Sequence, residues 1–345
     1  MNSGFSSEQL KAEAQRLGFS ACGVARACPV DEATARCYRD WIAAGGHAGM
    51  GYLENNVDKR LDPTLLLPGA RSIIVVAMSY APARRIPAGE YQIAAYAYGK
   101  DYHDVLKERL RILSEEFRVK SEEFATASGN EEAGAEANSS LFTLHSSLKL
   151  CVDTVPILER YWAQQAGIGF LGRNHQLIIP QAGSMFFLGE IVTTALSDHY
   201  DTPMENRCGT CRRCIDACPT GALALGSCSM FDSKKCLSYQ TIENREAIDE
   251  AVKPKLGLSI YGCDRCQQAC PWNRFAQPTA IPEFQPSETL LQMKRTDWQQ
   301  LSIDRYRQLF KGSAVKRAKY EGLMRNIRAV SGREYDAKKG ETNWH

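Results

Sequence analysis

The sequence predicts a mixed α/β (α+β) chain with a cysteine-dense second half, and three observations carry that expectation. Residues Arg71 to Ser79 form a short, continuous apolar run rich in β-branched side chains, the pattern of a strand buried on both faces and lying mid-sheet. Apolar residues at helical spacing follow it, at Val105, Leu106, Leu110, Leu113 and Phe117, with charged residues between them. Most of the thirteen cysteines then fall between Cys208 and Cys270.

The other elements follow in order. Ser6-x-x-Gln9 has the form of a capping box, Leu10 and Leu17 share a helical face, and Gly18 ends the pattern. Beyond the helix over 104–117, the stretch 120–140 is dominated by Glu, Ala, Ser, Gly and Asn and lacks an apolar period, so a mobile surface insertion is expected there. Leu141 to Val152 has strand character, Pro156 to Gln165 helical character, and Gln176 to Pro180 and Met185 to Thr194 are further strands. Asp, Pro and Asn over 196–207 mark a boundary. The expected division is a sheet domain over 1–200, a cysteine module over 201–285, and a helical, basic segment over 286–345.

At 345 residues, with 44% hydrophobic and 24% charged side chains, the chain can bury a sizeable core and is not disordered by composition. It shows no apolar run of about 18 residues, and Met1 to Leu10 lacks the basic start and apolar stretch of an export signal. The expectation is a cytoplasmic monomer with no membrane span. A net charge of +2 decides nothing about polyanionic partners, since a local basic patch suffices for them. Clustered cysteines without an export signal point to metal ligation rather than disulfides.

Cys208-x2-Cys211-x2-Cys214-x3-Cys218-Pro219 matches the bacterial ferredoxin run, in which three thiolates hold one 4Fe-4S cluster and the fourth reaches the other. A second, incomplete copy is Cys263-x2-Cys266-x3-Cys270-Pro271. Crossing ligation assigns Cys208, Cys211, Cys214 and Cys270 to one cluster, and Cys218, Cys236, Cys263 and Cys266 to the other, with Cys228 the rival of Cys236. Paired zinc knuckles are the competing interpretation of Cys-x2-Cys, but the repeated Cys-Pro ending favours iron and sulfur. Cys22, Cys28, Cys37 and Cys151 are scattered and suit small buried hydrophobes. The chain is therefore expected to be a redox enzyme.

Cys236-Leu-Ser-Tyr-Gln-Thr-Ile-Glu243 and Tyr261-Gly-Cys-Asp-Arg-Cys-Gln-Gln-Ala-Cys-Pro-Trp-Asn273 resemble the epoxyqueuosine reductase family. Gly49-Met-Gly-Tyr-Leu53, Lys59-Arg-Leu-Asp-Pro63, Tyr98-Gly-Lys-Asp-Tyr-His103, Val152-Asp-Thr-Val-Pro156 and Gly167-Ile-Gly-Phe-Leu-Gly-Arg-Asn174 resemble it in the same order, so the likeness spans nearly the whole chain. It implies a nitroreductase-like, cobalamin-binding sheet domain joined to the two-cluster module, and kinship with reductive dehalogenases. It further implies reduction of the epoxide of epoxyqueuosine, at the wobble position of a tRNA anticodon, to queuosine. Three departures stand out: the insertion at 120–140 is longer than expected, no helical-repeat extension is expected after Arg325-Asn326-Ile327-Arg328, and His175 stands where a small or thiol-bearing residue is familiar.

By the resemblance, Asp153 is the proton donor, with a pKa raised by desolvation beneath the corrin. The same Asp at the start of a helix near Pro156 has capping as its plainer role. Arg60, Tyr98, Lys100, Asp153, Arg173, Asn174, Leu177, Ser238 and Asp264 are the implied cobalamin contacts. Asp101-Tyr-His103 begins like a cobalt-ligating Asp-x-His motif, but Leu106 stands where that motif needs Gly, so His103 is expected to be structural or a phosphate or amide contact. Electrons would come through the clusters from a flavodoxin, a ferredoxin or another low-potential donor. For the tRNA anticodon stem-loop, the basic run Lys311, Lys316, Arg317, Lys319, Arg325 and Arg328, with Arg84 and Arg85 at the rim, would track phosphates. The alternatives are a corrinoid reductive dehalogenase-like enzyme acting on a small molecule and an iron-sulfur electron carrier.

Overall fold

The computed structural model describes residues 4–127, 147–224 and 231–331, the side chains of 117–127 excepted. Its sheet domain contains β1 (Ala21–Arg26), β2 (Ser72–Ser79), β3 (Leu148–Cys151) and β4 (Phe186–Thr193), with helices α1 (Ser7–Arg16), α2 (Glu32–Ala43), α3 (Tyr102–Ala127) and α4 (Glu159–Gln165). Helices α5 (Leu237–Ile242) and α6 (Lys319–Val330) belong to the second half. The four strands form one antiparallel sheet in the order β1-β2-β4-β3.

Strand period explains why β2 is apolar throughout. Ile74, Val76 and Met78 enter a core with Leu10, Leu106, Leu110 and Leu113, whereas Ile73, Val75 and Ala77 enter another with Cys151, Trp162 and Ala163. Helices α1 and α3 thus cover one face and α4 the other. Each such fully buried Val or Ile contributes about 1.5–3 kcal/mol, and central placement with partners on both sides leaves no room for polar residues. The antiparallel pairing shows that a strand buried on both faces need not belong to a parallel sheet.

At α1 the Ser6 half of the expected capping box forms, its side chain accepting the Gln9 N–H, and Gly18 follows at φ +86°. Three boundaries move. Helix α3 runs on to Ala127, so the first part of 120–140 is helical, while 128–146 lies outside the described residues. The strand expected over Leu141–Val152 is described only as Leu148–Cys151, and α4 starts at Glu159 rather than at Pro156. Pro156 sits in the loop that follows Asp153, where a short turn fills the interval.

A third core unites residues distant in sequence. Tyr91, Ile93 and Tyr98 pack with Leu237, Ile260 and Tyr261 and with Trp298, Phe310, Leu323 and Ile327. Gln92–Ile93 pairs in parallel with Ser259–Tyr261. Asn326, fully buried, donates to the carbonyls of Thr241 and Ile260 at 2.8 Å each. Arg325 donates to the carbonyls of Gln240, Asn244 and Glu246. Helix α6 is therefore bolted to the cysteine module by Asn326 and by Arg325, the latter a residue that the sequence places in a basic run.

Candidate active site and cluster ligands

The loop between β3 and α4 carries Asp153 in the left-handed region, at φ +54°, a conformation few residues besides Gly, Asn and Asp adopt readily. Asp153 does not cap α4, whose N-cap is Leu158. Its carboxylate instead faces the start of α3. The Tyr102 hydroxyl donates to Asp153 Oδ2 at 2.6 Å, and His103 Nε2 lies 3.2 Å from the same oxygen. His103 Nδ1 lies 2.7 Å from Asp101 Oδ1, which completes an Asp101–His103–Asp153 series. Packing fixes it: the Tyr102 ring is stacked between His103, at 4.1 Å, and Phe187 of β4, at 4.4 Å.

The electrostatics of this series differ from expectation. Burial works against the charged form of His103, but hydrogen bonds to Asp101 and Asp153 prevail and raise its pKa to about 9. Burial tends to raise Asp153 as well, yet the hydrogen bonds from His103 and Tyr102 outweigh it and the net direction is downward. The expected elevation at Asp153 is thus corrected: with 56% of its side-chain surface exposed, it is a hydrogen-bonded carboxylate beside an imidazolium. Its neighbour Glu159 does carry a raised carboxyl: it accepts the Asp153 backbone N–H at 2.5 Å and is pushed up to about 7 by burial and by the charge on Asp153.

The cysteines gather in two sets. Cys208, Cys211, Cys214 and Cys270 line one cavity of about 250 Å³ together with Arg173, Asn174, Ile178, Arg207, Trp272, Arg274 and Phe275. Cys236, Cys263 and Cys266 are each raised by burial first, and the neighbouring thiols add to it: Cys218 acts on Cys236, Cys236 on Cys263, and Cys263 with Cys236 on Cys266. None of the eight is in a disulfide. Cys228 lies outside the described residues. Four thiols spread around one cavity suit a cubane cluster.

Two glycine-dependent contacts lock this module to the sheet domain. Asn273 accepts the Ser184 N–H at 2.7 Å and donates to the Gln267 carbonyl at 2.6 Å, while a Cβ on Gly183 would meet Asn273 Oδ1 at 2.3 Å. Gly49 N–H donates to the Tyr239 hydroxyl at 2.9 Å, and a Cβ there would stand 2.8 Å from that oxygen.

A family model described as "Epoxyqueuosine reductase QueG, DUF1730" matches residues 60–129, and one described as "4Fe-4S double cluster binding domain" matches residues 207–273. A curated epoxyqueuosine reductase from Cellulophaga algicola is 39% identical over 321 residues, 93% of this chain and 96% of that protein. The chain belongs to the epoxyqueuosine reductase family. Another member, from Gloeobacter violaceus, is 36% identical over 335 residues, 95% of this chain and 97% of that protein. A crystal structure of an epoxyqueuosine reductase with an epoxyqueuosine-modified tRNA-Tyr stem loop superposes with a TM-score of 0.78 at 28% identity, covering 94% of this chain and 80% of that one. A Bacillus subtilis epoxyqueuosine reductase, solved with its aspartate catalytic loop swung out of the active site, gives 0.77 at 26% identity over the same shares. As a family member the chain is an oxidoreductase that carries two 4Fe-4S clusters.

The remaining expected contacts of this epoxyqueuosine reductase family member divide by what they already bind. Arg60 Nε and Asn174 Nδ2 are buried donors with no partner among the described residues. Orphans of this kind fit a ligand rich in amide carbonyls, as cobalamin is. Arg173 donates to the Gly209 carbonyl at 2.7 Å, beside the first cysteine set. Tyr98 and Asp264 are buried and accept the backbone N–H groups of Ile86 and Ala95, so their polar atoms serve the fold. Leu177 is buried, Ser238 half-buried and Lys100 exposed.

Among the basic residues, Lys311, Lys316, Lys319 and Arg328 are exposed. Arg325 is internal structure, as its three carbonyl contacts require. Arg317 forms a bidentate pair with Glu243 and lies over the Tyr52 ring, close enough to Asp153 to act on it. Arg84 is paired with Glu288, and Arg85 reaches Met185 Sδ. Sequence reasoning missed Tyr102 and Glu159 and left His103 out of the chemistry; the adjacency of Asp101 and His103 was the available signal.

Proposed function

We propose that this protein reduces the epoxide of epoxyqueuosine, carried in a tRNA anticodon stem-loop, to the alkene of queuosine, the last step of queuosine biosynthesis. The observation that carries the proposal is the Asp153 carboxylate held by Tyr102 and His103, in a chain of this family with two four-cysteine sets. Reduction consumes two electrons and two protons and releases the oxygen as water. Cobalamin, when bound along Arg60, Asn174 and Arg173, supplies the low-potential chemistry at carbon.

The protein's own groups handle protons. His103, positively charged at neutral pH and oriented by Asp101, gives a proton through Asp153 to the departing oxygen. General acid catalysis of this kind contributes about 10²–10⁴-fold. Tyr102 holds the Asp153 carboxylate in place.

Electrons enter at the first cysteine set. Arg207 and Arg274 line its cavity, a positive surface suited to an acidic low-potential carrier such as a flavodoxin or ferredoxin. The exposed Lys311, Lys316, Lys319 and Arg328 hold the stem-loop backbone, and the target base is splayed toward Asp153. None of the described helices is long and apolar enough to cross a membrane, and the proposed setting is the cytoplasm. Under anaerobic, reducing conditions the cobalamin-loaded protein should convert epoxyqueuosine stem-loop but leave small aryl halides unchanged; the opposite preference would assign it to small-molecule reduction.

A further inference from the structure

Glu190 stands at a position where the sheet calls for an apolar side chain. Leu188 and Val192, two residues either side on β4, both enter the core beneath α4, so strand alternation turns Glu190 to the same face. Its ladder neighbours are Val75 on β2 and Cys151 on β3. It is 0% exposed, and neither carboxyl oxygen has a hydrogen-bond partner among the described residues. Ionised, such a group costs several kcal/mol, so it keeps its proton instead. Burial raises its pKa well above the ordinary value, and the like charges of Glu159 and Asp153 push the same way. The Cys151 thiol faces it across the ladder and is itself raised by burial and by Glu190.

The chain connects this buried acid to the site. Cys151, opposite Glu190, continues through Val152 into Asp153. Glu159, the first residue of the helix covering this face, accepts the Asp153 backbone N–H. Glu159 and Asp153 both act electrostatically on Glu190, so the three carboxyl groups share one region of the fold, between the sheet interior and the exposed loop.

We propose that Glu190 is the store of the second proton, delivered through Glu159 to Asp153 after the His103 side has given the first. The inference rests on the proposed epoxide reduction. The first proton opens the epoxide C–O bond to a hydroxyl, and the second lets that hydroxyl leave as water while the alkene forms. Both electrons come from the low-potential donor through the clusters, and Glu190 regains its proton from solvent between turnovers.

Infrared difference spectroscopy of the protein without tRNA tests the store independently of turnover. The wild type should show a protonated carboxyl C=O band that persists above pH 8 and is absent in Glu190→Gln. Glu190→Gln keeps the volume and removes the acid, so turnover on epoxyqueuosine stem-loop should fall roughly 10²-fold at unchanged KM. Its residual rate should decline as pH rises through about 7, where Glu159 titrates, whereas the wild type holds to about 9, set by His103. A wild type lacking that band, or a variant within twofold of wild type with the same pH profile, would overturn the role of Glu190. Absence of wild-type turnover with the band present would strike the proposed reaction instead.

Discussion

The Nε2 atom of His103 lies 3.2 Å from the Asp153 carboxylate, across the gap between the start of α3 and the β3–α4 loop. Asp101 holds the opposite ring nitrogen, so the imidazole is turned toward Asp153 and charged at neutral pH. A carboxylate that would otherwise be a poor acid thereby receives a proton source at hydrogen-bond range.

Replacing Asp153 by Asn should leave iron content and cluster absorbance unchanged and lower turnover by about 10²–10⁴-fold. His103→Gln should fall between that variant and the wild type, because Asp153 can still be protonated from Glu159. Anaerobic single-turnover rates on epoxyqueuosine stem-loop measure both.

The same pair gives a pH signature in stability. The pKa of His103 is 6.5 in the ordinary state and about 9 when folded, so its contribution is fully present below 6.5 and is lost as pH rises through 9. Asp101 and Asp153, both shifted downward, contribute above the ordinary carboxylate range and lose that contribution in acid. Denaturation of wild type against His103→Gln should show a difference that shrinks between pH 6.5 and 9.

How much of this was legible in the sequence depends on the kind of signal. The apolar run of β2 and the Ser6 cap are local patterns, and the structure places them as expected; the cysteine spacing is a local pattern too, and four of its thiols line one cavity. The site is less legible because it is made by distant pieces: Tyr102 and His103 meet Asp153 only when α3 crosses the sheet. Arg325 looked like a phosphate contact because sequence shows its charge, while the carbonyls of Gln240, Asn244 and Glu246 that consume it are about 80 residues away in the chain. The charge of Glu190 within an apolar strand was visible, but only burial without a partner gives it meaning.

Asn326 tests the packing. Asn326→Ala leaves the Thr241 and Ile260 carbonyls without donors, at about 1–3 kcal/mol for each unsatisfied buried group. Thermal unfolding should move down by several degrees, and iron loss should quicken, since both carbonyls belong to the cysteine module.

Lys316→Ala with Lys319→Ala should weaken stem-loop binding without changing the single-turnover rate at saturation. Removing two phosphate contacts should reduce the slope of log affinity against log salt by about 1.4–1.8. Equilibrium titration across salt concentrations reads it, and an unchanged slope would place the tRNA elsewhere.

The most direct test is mass spectrometry of nucleosides digested from an epoxyqueuosine stem-loop after anaerobic incubation with the protein, its clusters intact, a strong reductant, and cobalamin either present or withheld. The expected result is queuosine, lighter by one oxygen, formed only with cobalamin and lost in Asp153→Asn. Unchanged epoxyqueuosine in the complete mixture, or queuosine at equal rates from the wild type and Asp153→Asn, would contradict it.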